Sequence, residues 1–272
     1  MKIFLIYIII VFMIAKSTIC VVPLSYLNQD AWKGQCQDYQ FQSPIDIPKN
    51  TDTIVTHTSI FIEDAEYSLL KNIKKVEDNH TRMNLDYDTV VDDFIIINVQ
   101  GISYKYTLTN VHFHCPSEHT FNGVHSNCEL HMVHQRNLKV NDKDPRHTFV
   151  VVGILINNGT NIDNQLFSDA DIDLSPYVSR NNSYYHYSGG LTTPPCSELV
   201  NWFVYSEVVE ATPDQVQQLV DMVQFQFPET GDNRKVQPLG NRHIYLVSPS
   251  VSILIKVNTI LIIMIAFLLL DL

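Results

Sequence analysis

Three histidines and a glutamate fall within eight residues of the segment "NVHFHCPSEH" (110–119), and more histidines follow in "CELHMVHQ" (128–135). Imidazole nitrogens and carboxylate oxygens are the ligands that Zn²⁺ takes most readily, alongside thiolates. Side chains alternate between the two faces of a strand. With 102–115 as a strand, Asn110, His112 and His114 share one face, and Val111, Phe113 and Cys115 share the other. On the second segment Glu129, His131 and Val133 share a face, while Cys128, Leu130, Met132 and His134 point the opposite way. Antiparallel pairing of the two strands brings His131 to His112 and His114 and completes a three-histidine site. Three neutral nitrogen donors leave one tetrahedral position of the ion open, which is the pattern of a catalytic zinc site. Asn110 and Glu129 lie on the same face, where they can orient the ligand rings by accepting their N–H groups.

A different metal chemistry also starts from these residues. His-x-His-x₃-Glu followed by Gly123 resembles the first half of a cupin metal motif, in which His112, His114, Glu118 and a distant histidine would bind iron or manganese. The downstream sequence, below, decides against it.

The elements that must carry such a site read mainly as strands. "DDFIIINVQ" (92–100), "ISYKYTLTNVHFHC" (102–115), "CELHMVHQ" (128–135), "HTFVVVGILIN" (147–157) and "NWFVYSEVV" (201–209) are rich in β-branched and aromatic residues. Gly101, Asn122-Gly123 and Asn158-Gly159 mark turns. The clearest helix begins at "ATPDQVQQLVDMV" (211–223): Thr212 caps it, Pro213 suits its first turn and Gln215 completes a capping box. With no internal repeat and no long linker, the expected fold is mainly β (α+β), one β-rich domain with a few helices around it.

The ends read as processing signals. Residues 1–20 hold Lys2 and then an apolar run from Ile3 to Ala15, as in a secretory signal peptide, with cleavage between Ser17 and Cys20. The tail "TILIIMIAFLLL" (259–270) has no basic flank and is short for a membrane span. Small residues at Ser248, Ser250 and Ser252, a spacer and this hydrophobic end fit a GPI-anchor signal, with Ser250 as first choice; a single C-terminal span is the alternative. The divisions expected are thus 1–20 signal, 21–248 domain and 249–272 anchor signal, on a protein held at the extracellular face of the membrane. Asn79-His80-Thr81, Asn158-Gly159-Thr160 and Asn181-Asn182-Ser183 are glycosylation sequons. The net charge of −11 argues against a nucleic-acid partner, whose phosphates require clustered Lys and Arg.

Apart from Cys20 in the leader, four cysteines remain, and an even number in an exported chain suggests two disulfides with three possible pairings. The strand reading puts Cys115 and Cys128 together on the far face, which leaves Cys36 for Cys196.

The downstream stretch "YSGGLTTPPCSELVNW" (187–202) changes the weight of all this. With "FQSPIDI" (41–47), "HFH" (112–114), "SEHT" (117–120), "ELHMVH" (129–134) and "QPLGNR" (237–242), the chain resembles an α-class carbonic anhydrase of the secreted or membrane-anchored type, in family order from residue 26 to 246. The resemblance implies a single domain on a large twisted, mostly antiparallel central sheet with peripheral helices. It implies reversible hydration of carbon dioxide to bicarbonate and a proton by hydroxide carried on Zn²⁺. The family's zinc ligands fall on His112, His114 and His131. Its gate threonine falls on Thr192, and the glutamate that accepts that hydroxyl's proton falls on Glu118. Glu129 falls on the glutamate behind the ligands, which is expected to hold His119, and Asn110 stands where the family has a longer amide, glutamine. The carbon dioxide pocket falls on Val133, Val151, Leu191 and Trp202, with Thr193 near the product. Exported members join the positions of Cys36 and Cys196, in agreement with the pairing above. Cys115 is a departure from the family's usual aromatic or small residue there, and makes room for a second bridge to Cys128.

Regenerating the hydroxide requires a proton carrier. In "EDNHTRMNLDY" (77–87), His80 lies one residue before the family's shuttle position, with Asn79 of the sequon beside it; His57 or buffer is the substitute. Two rival functions stand beside the enzyme: a non-catalytic carbonic-anhydrase-like extracellular binding module, and the cupin-type oxygenase or isomerase.

Overall fold

The computed structural model describes residues 25–49, 54–55, 59–67, 71–77, 83–88, 93–136, 148–159, 173–179, 181–226 and 231–249. The expected leader, His57, Asn79, His80, Ser250 and the hydrophobic tail at 259–270 lie outside them. Among the described residues no helix is long and apolar enough to cross a membrane.

Fifteen strands are described: β1 (Asp46–Ile47), β2 (Ile54–Val55), β3 (Ile60–Glu66), β4 (Lys71–Glu77), β5 (Met83–Asp88), β6 (Phe94–Val99), β7 (Ile102–His114), β8 (Thr120–Phe121), β9 (Val124–His125), β10 (Cys128–Arg136), β11 (Phe149–Asn158), β12 (Tyr184–Gly189), β13 (Val200–Tyr205), β14 (Val209–Ala211) and β15 (Ile244–Val247). Two α-helices accompany them, α1 (Gln35–Asp38) and α2 (Pro213–Gln226). Nine strands run in the order β2-β15-β12-β13-β11-β10-β7-β5-β4 across one twelve-stranded sheet, with β3, β6 and β14 alongside; β1, β8 and β9 form a small second sheet. Within the large sheet the pairs are antiparallel except β11 with β13 and β14, and β15 with β2.

The expected mainly-β single domain is therefore what the chain forms, with differences in its strands. The segment 201–209 is not one strand: Ser206, Glu207 and Val208 separate β13 from β14, and the chain re-pairs with β11 further along. β2, β3, β4, β5, β12 and β15 of the large sheet are also absent from the expected strands; in β4 the segment "KNIKKVE" offers charged residues where alternation would show an apolar face.

The central strands β10 and β11 separate two cores. Leu130, Met132, Val150, Val152, Ile154 and Ile156 pack on the far face, where α2 adds Val216, Leu219 and Val223 at helical spacing. Val151, Leu155, Trp202 and Val204 pack on the other with Ile45, Ile47 and Tyr187. The capping box forms as expected: the Gln215 N–H donates to Thr212 Oγ1 at 3.3 Å and the Thr212 N–H donates to Gln215 Oε1 at 3.2 Å. Both expected disulfides are present. Cys36–Cys196 closes a separation of 160 residues, and Cys115–Cys128 joins the ends of β7 and β10, Cα to Cα 4.2 Å.

His134 is buried on the far face. Its Nδ1 donates to the Val150 carbonyl at 3.2 Å, and the Tyr67 hydroxyl donates to its Nε2 at 2.8 Å. Burial holds its pKa down at about 4, against an ordinary 6.5. The unfolded chain therefore binds a proton between those values that the folded chain refuses. His134 contributes stability that is fully present above pH 6.5 and is lost as pH falls toward 4. The amount is about 3 kcal/mol. Urea unfolding at pH 7 and pH 4.5 is expected to show a steeper loss for the natural chain than for His134→Gln. Equal losses would contradict the assignment.

Candidate metal centre

β7 and β10 pair antiparallel so that His131 faces His112, Glu129 faces His114 and Val133 faces Asn110. Alternation then puts all six on one face. The three imidazoles are buried, with ring centroids 4.8–5.1 Å apart. Each has one nitrogen engaged: His112 Nδ1 with Asn110 Oδ1 at 2.6 Å, His114 Nδ1 with the Asp232 carbonyl at 2.8 Å, and His131 Nε2 with Glu129 Oε1 at 2.9 Å. The shorter amide of Asn110 reaches His112 from two residues away on the same strand face.

The other nitrogens converge. Donor atoms of the three residues lie within 4.8 Å of one another. His112 Nε2 and His131 Nδ1 are 3.3 Å apart. Two nitrogens each about 2.1 Å from one tetrahedral ion are separated by about 3.4 Å. His114 Nε2 is buried with no hydrogen-bond partner among the described residues, a costly state for a polar atom unless something binds it. The donor set fits Zn²⁺. A second cluster, His119, Glu129 and His131, is close enough to hold an ion as well. Its atoms already satisfy one another at 2.7 and 2.9 Å, so the three-histidine set is the better site.

Glu129 organises the inner side. Oε1 accepts from His119 Nδ1 and His131 Nε2, and Oε2 accepts the N–H groups of Glu118 and His119 at 2.9 and 2.8 Å. Burial pushes its carboxyl up, but His119 and His131 outweigh that and hold it well below the usual range. Gly153 faces His131 across β11, and a Cβ there would stand 2.7 Å from Glu129 Oε1. Burial lowers the His131 pKa against the pull of Glu129, so the ring is neutral and ready to ligate. His114 behaves oppositely: burial pushes it down, but Glu118 and Asp232 carry it up to about 9.

Glu118 is buried beside the three histidines. Oε1 accepts the Arg234 N–H at 2.9 Å; Oε2 lies 3.6 Å from His114 Nε2 and has no hydrogen-bond partner among the described residues. Thr192 and Thr193 are buried on the loop after β12. No hydrogen bond joins Thr192 to Glu118 among the described residues. The loop is anchored at Cys196, whose N–H donates to the Thr193 carbonyl at 2.9 Å.

The apolar residues form a cross-strand row. Val133 pairs with Val151, and Val151 with Trp202, on three adjacent strands. Leu191 packs against the same cluster. Trp202 sets its ring edge on His131 and His119, centroids 4.9 and 4.8 Å apart, and its Nε1 donates to the Gly190 carbonyl at 3.1 Å.

Three contributors escape a reading of motifs. Tyr187 bonds His119 Nε2 at 2.7 Å and Ser43 Oγ at 2.9 Å. Arg234 donates its guanidinium to the carbonyls of Ser43 and Cys36 at 2.8 and 3.2 Å. Asp232 accepts the Cys115 N–H on Oδ1 at 2.9 Å and faces His114 with Oδ2 at 3.5 Å. The signal available was nearness in sequence to "QPLGNR" and position within "YSGGLTTPPC".

Comparison with known proteins agrees with this architecture. A profile described as eukaryotic-type carbonic anhydrase matches residues 27–248. Alpha carbonic anhydrase 8 of Arabidopsis thaliana is 30% identical over 86% of this chain, which spans 60% of that protein. Alpha carbonic anhydrase 7 of the same plant is 30% identical over 79% of this chain and 78% of its own length. Among solved structures, the α-carbonic anhydrase of Thermovibrio ammonificans in complex with the inhibitor sulfanilamide aligns with a TM-score of 0.59 at 28% identity, covering 78% of this chain and 89% of that one. The profile takes in both histidine-bearing strands, the threonine loop and the segment that carries Asp232, and the chain belongs to the eukaryotic-type carbonic anhydrase family.

Proposed function

We propose that the protein catalyses the reversible hydration of carbon dioxide to bicarbonate and a proton, as a zinc lyase. The observation that carries the reading is the trio of buried imidazoles whose second nitrogens are engaged and whose first nitrogens converge. His112, His114 and His131 would hold Zn²⁺. The bound ion would supply Lewis acidity that ionises water near neutral pH; carbonic anhydrase is itself the standard example of that effect.

The chain's own residues do the rest. The Thr192 hydroxyl would donate its proton to Glu118 in the reacting complex, for which the unpartnered Oε2 is the available acceptor. Its oxygen is then an acceptor only, which orients the attacking oxygen's proton away from the carbon. Val133, Val151, Leu191 and Trp202 present an apolar wall to a substrate that has no charge to anchor, and proximity to the nucleophile supplies much of the acceleration. Thr193 stands where product would rest. His80 carries protons to the exterior, with His57 or buffer as substitute.

The cellular setting is also proposed: a cleaved leader at 1–20, a domain over 21–248, and a GPI-type signal at 249–272 that leaves the enzyme on the extracellular face of the membrane. Two disulfides accord with an oxidising compartment. Asn158 and Asn181 are exposed, as glycosylation requires, and Asn79 is the third acceptor. A binding module without catalysis would not require all three ligands, and none is missing.

Stopped-flow carbon dioxide hydration is expected to be fast, abolished by a zinc chelator, restored by added zinc and inhibited by a sulfonamide. Zinc-loaded protein with no hydration above buffer would favour the binding module; iron or manganese in place of zinc would favour the cupin-type chemistry.

A further inference from the structure

Two carboxylate oxygens flank one imidazole. Glu118 Oε2 lies 3.6 Å from His114 Nε2, and Asp232 Oδ2 lies 3.5 Å from His114 Nδ1. Both side chains are wholly buried, and neither oxygen has a hydrogen-bond partner among the described residues. Glu118 Oε2 has a use in the proposed chemistry; Asp232 Oδ2 has none there.

The position of Asp232 is tightly set. Its Oδ1 accepts the Cys115 N–H and its carbonyl accepts from His114 Nδ1. Gly231, at φ 70°, brings the loop against the Cys115 carbonyl, where a Cβ would collide. A buried carboxylate with one idle oxygen is costly. An asparagine would make the same Cys115 bond and offer the same carbonyl without the charge. The charge is the feature that calls for a reason.

We infer that Asp232 is a positioning residue for metal retention: its carboxylate, set behind His114, strengthens the Nδ1–H bond and the donor power of Nε2. Glu129 stands in the same relation to His131, by a direct bond. Partners behind metal ligands fix ring orientation and raise ligand basicity. The inference rests on the metal-centre reading above.

The test is Asp232→Asn in the full chain, which keeps shape, carbonyl and acceptor and removes the charge. Zinc-loaded proteins are passed to a chromophoric chelator and release is followed. The variant is expected to hold zinc about 10–100-fold less tightly. Its metal-free melting temperature is expected to stay within about 3 °C of the natural chain. Asp173→Asn, at an exposed carboxylate remote from the centre in sequence, is expected to retain zinc like the natural chain. Equal retention by Asp232→Asn overturns the inference. So does weakened retention accompanied by a larger fall in metal-free melting temperature, or failure to fold, because Asp232 would then be structural. A natural chain that takes up no zinc refutes the metal-centre reading itself. A natural chain that holds zinc and hydrates carbon dioxide, beside a variant that holds it equally, refutes the inference alone.

Discussion

His131→Ala is expected to lose bound zinc and carbon dioxide hydration together. The residue supplies one of three converging nitrogens, and the two that remain sit side by side on a single strand, β7, at ring centroids 5.1 Å apart. Two donors on one strand leave half the tetrahedron to solvent. The loss is expected to go well beyond the roughly 100-fold that removing a partner behind a ligand costs. The same change leaves Glu129 buried with one fewer hydrogen bond, so metal-free stability falls too. Metal analysis after dialysis, beside the hydration rate, checks the pair of losses. A zinc-loaded, active variant would remove His131 from the ligand set.

Glu118→Gln is expected to separate binding from catalysis. The side chain is close to the ligands but belongs to neither candidate ligand set. Glutamine keeps an oxygen for the Arg234 N–H and puts an amide N–H₂ where Oε2 stands. That group donates, so it cannot accept the Thr192 proton, and the hydroxyl is no longer aimed. Removing one preorganised polar group at a reacting centre costs about 100–1,000-fold. The rate of hydration is expected to fall by that amount while zinc content stays at one per chain. Loss of zinc instead would make Glu118 a ligand or a ligand support; an unchanged rate would remove it from the chemistry.

Much of the centre was legible from alternation. A period of two placed Asn110, His112 and His114 together and Glu129, His131 and Val133 together, and the register pairs them as that pattern required. The same alternation sent Cys115 and Cys128 to the opposite face, where they bridge. Thr212 and Gln215 declared the helix start because capping is a local interaction. What was not legible is what depends on distant chain. Asp232 reaches Cys115 across 117 residues, and Arg234 reaches Glu118 across 116. Nothing in the spacing of either residue announces a partner. The register shift between Val133 and His134 and the break between β13 and β14 are likewise set by neighbouring strands rather than by local composition. β4 was missed because its residues neither alternate nor run rich in β-branched and aromatic side chains.

The central claim is that three imidazoles from two neighbouring strands hold one zinc ion and leave a corner for solvent. X-ray absorption at the zinc edge of the purified chain measures this directly. The account predicts a four-coordinate ion with three imidazole nitrogens at about 2.0–2.1 Å and one light solvent ligand that a sulfonamide displaces. An ion bound through sulfur, one with four protein ligands and no exchangeable position, or a chain that takes up no zinc would contradict it.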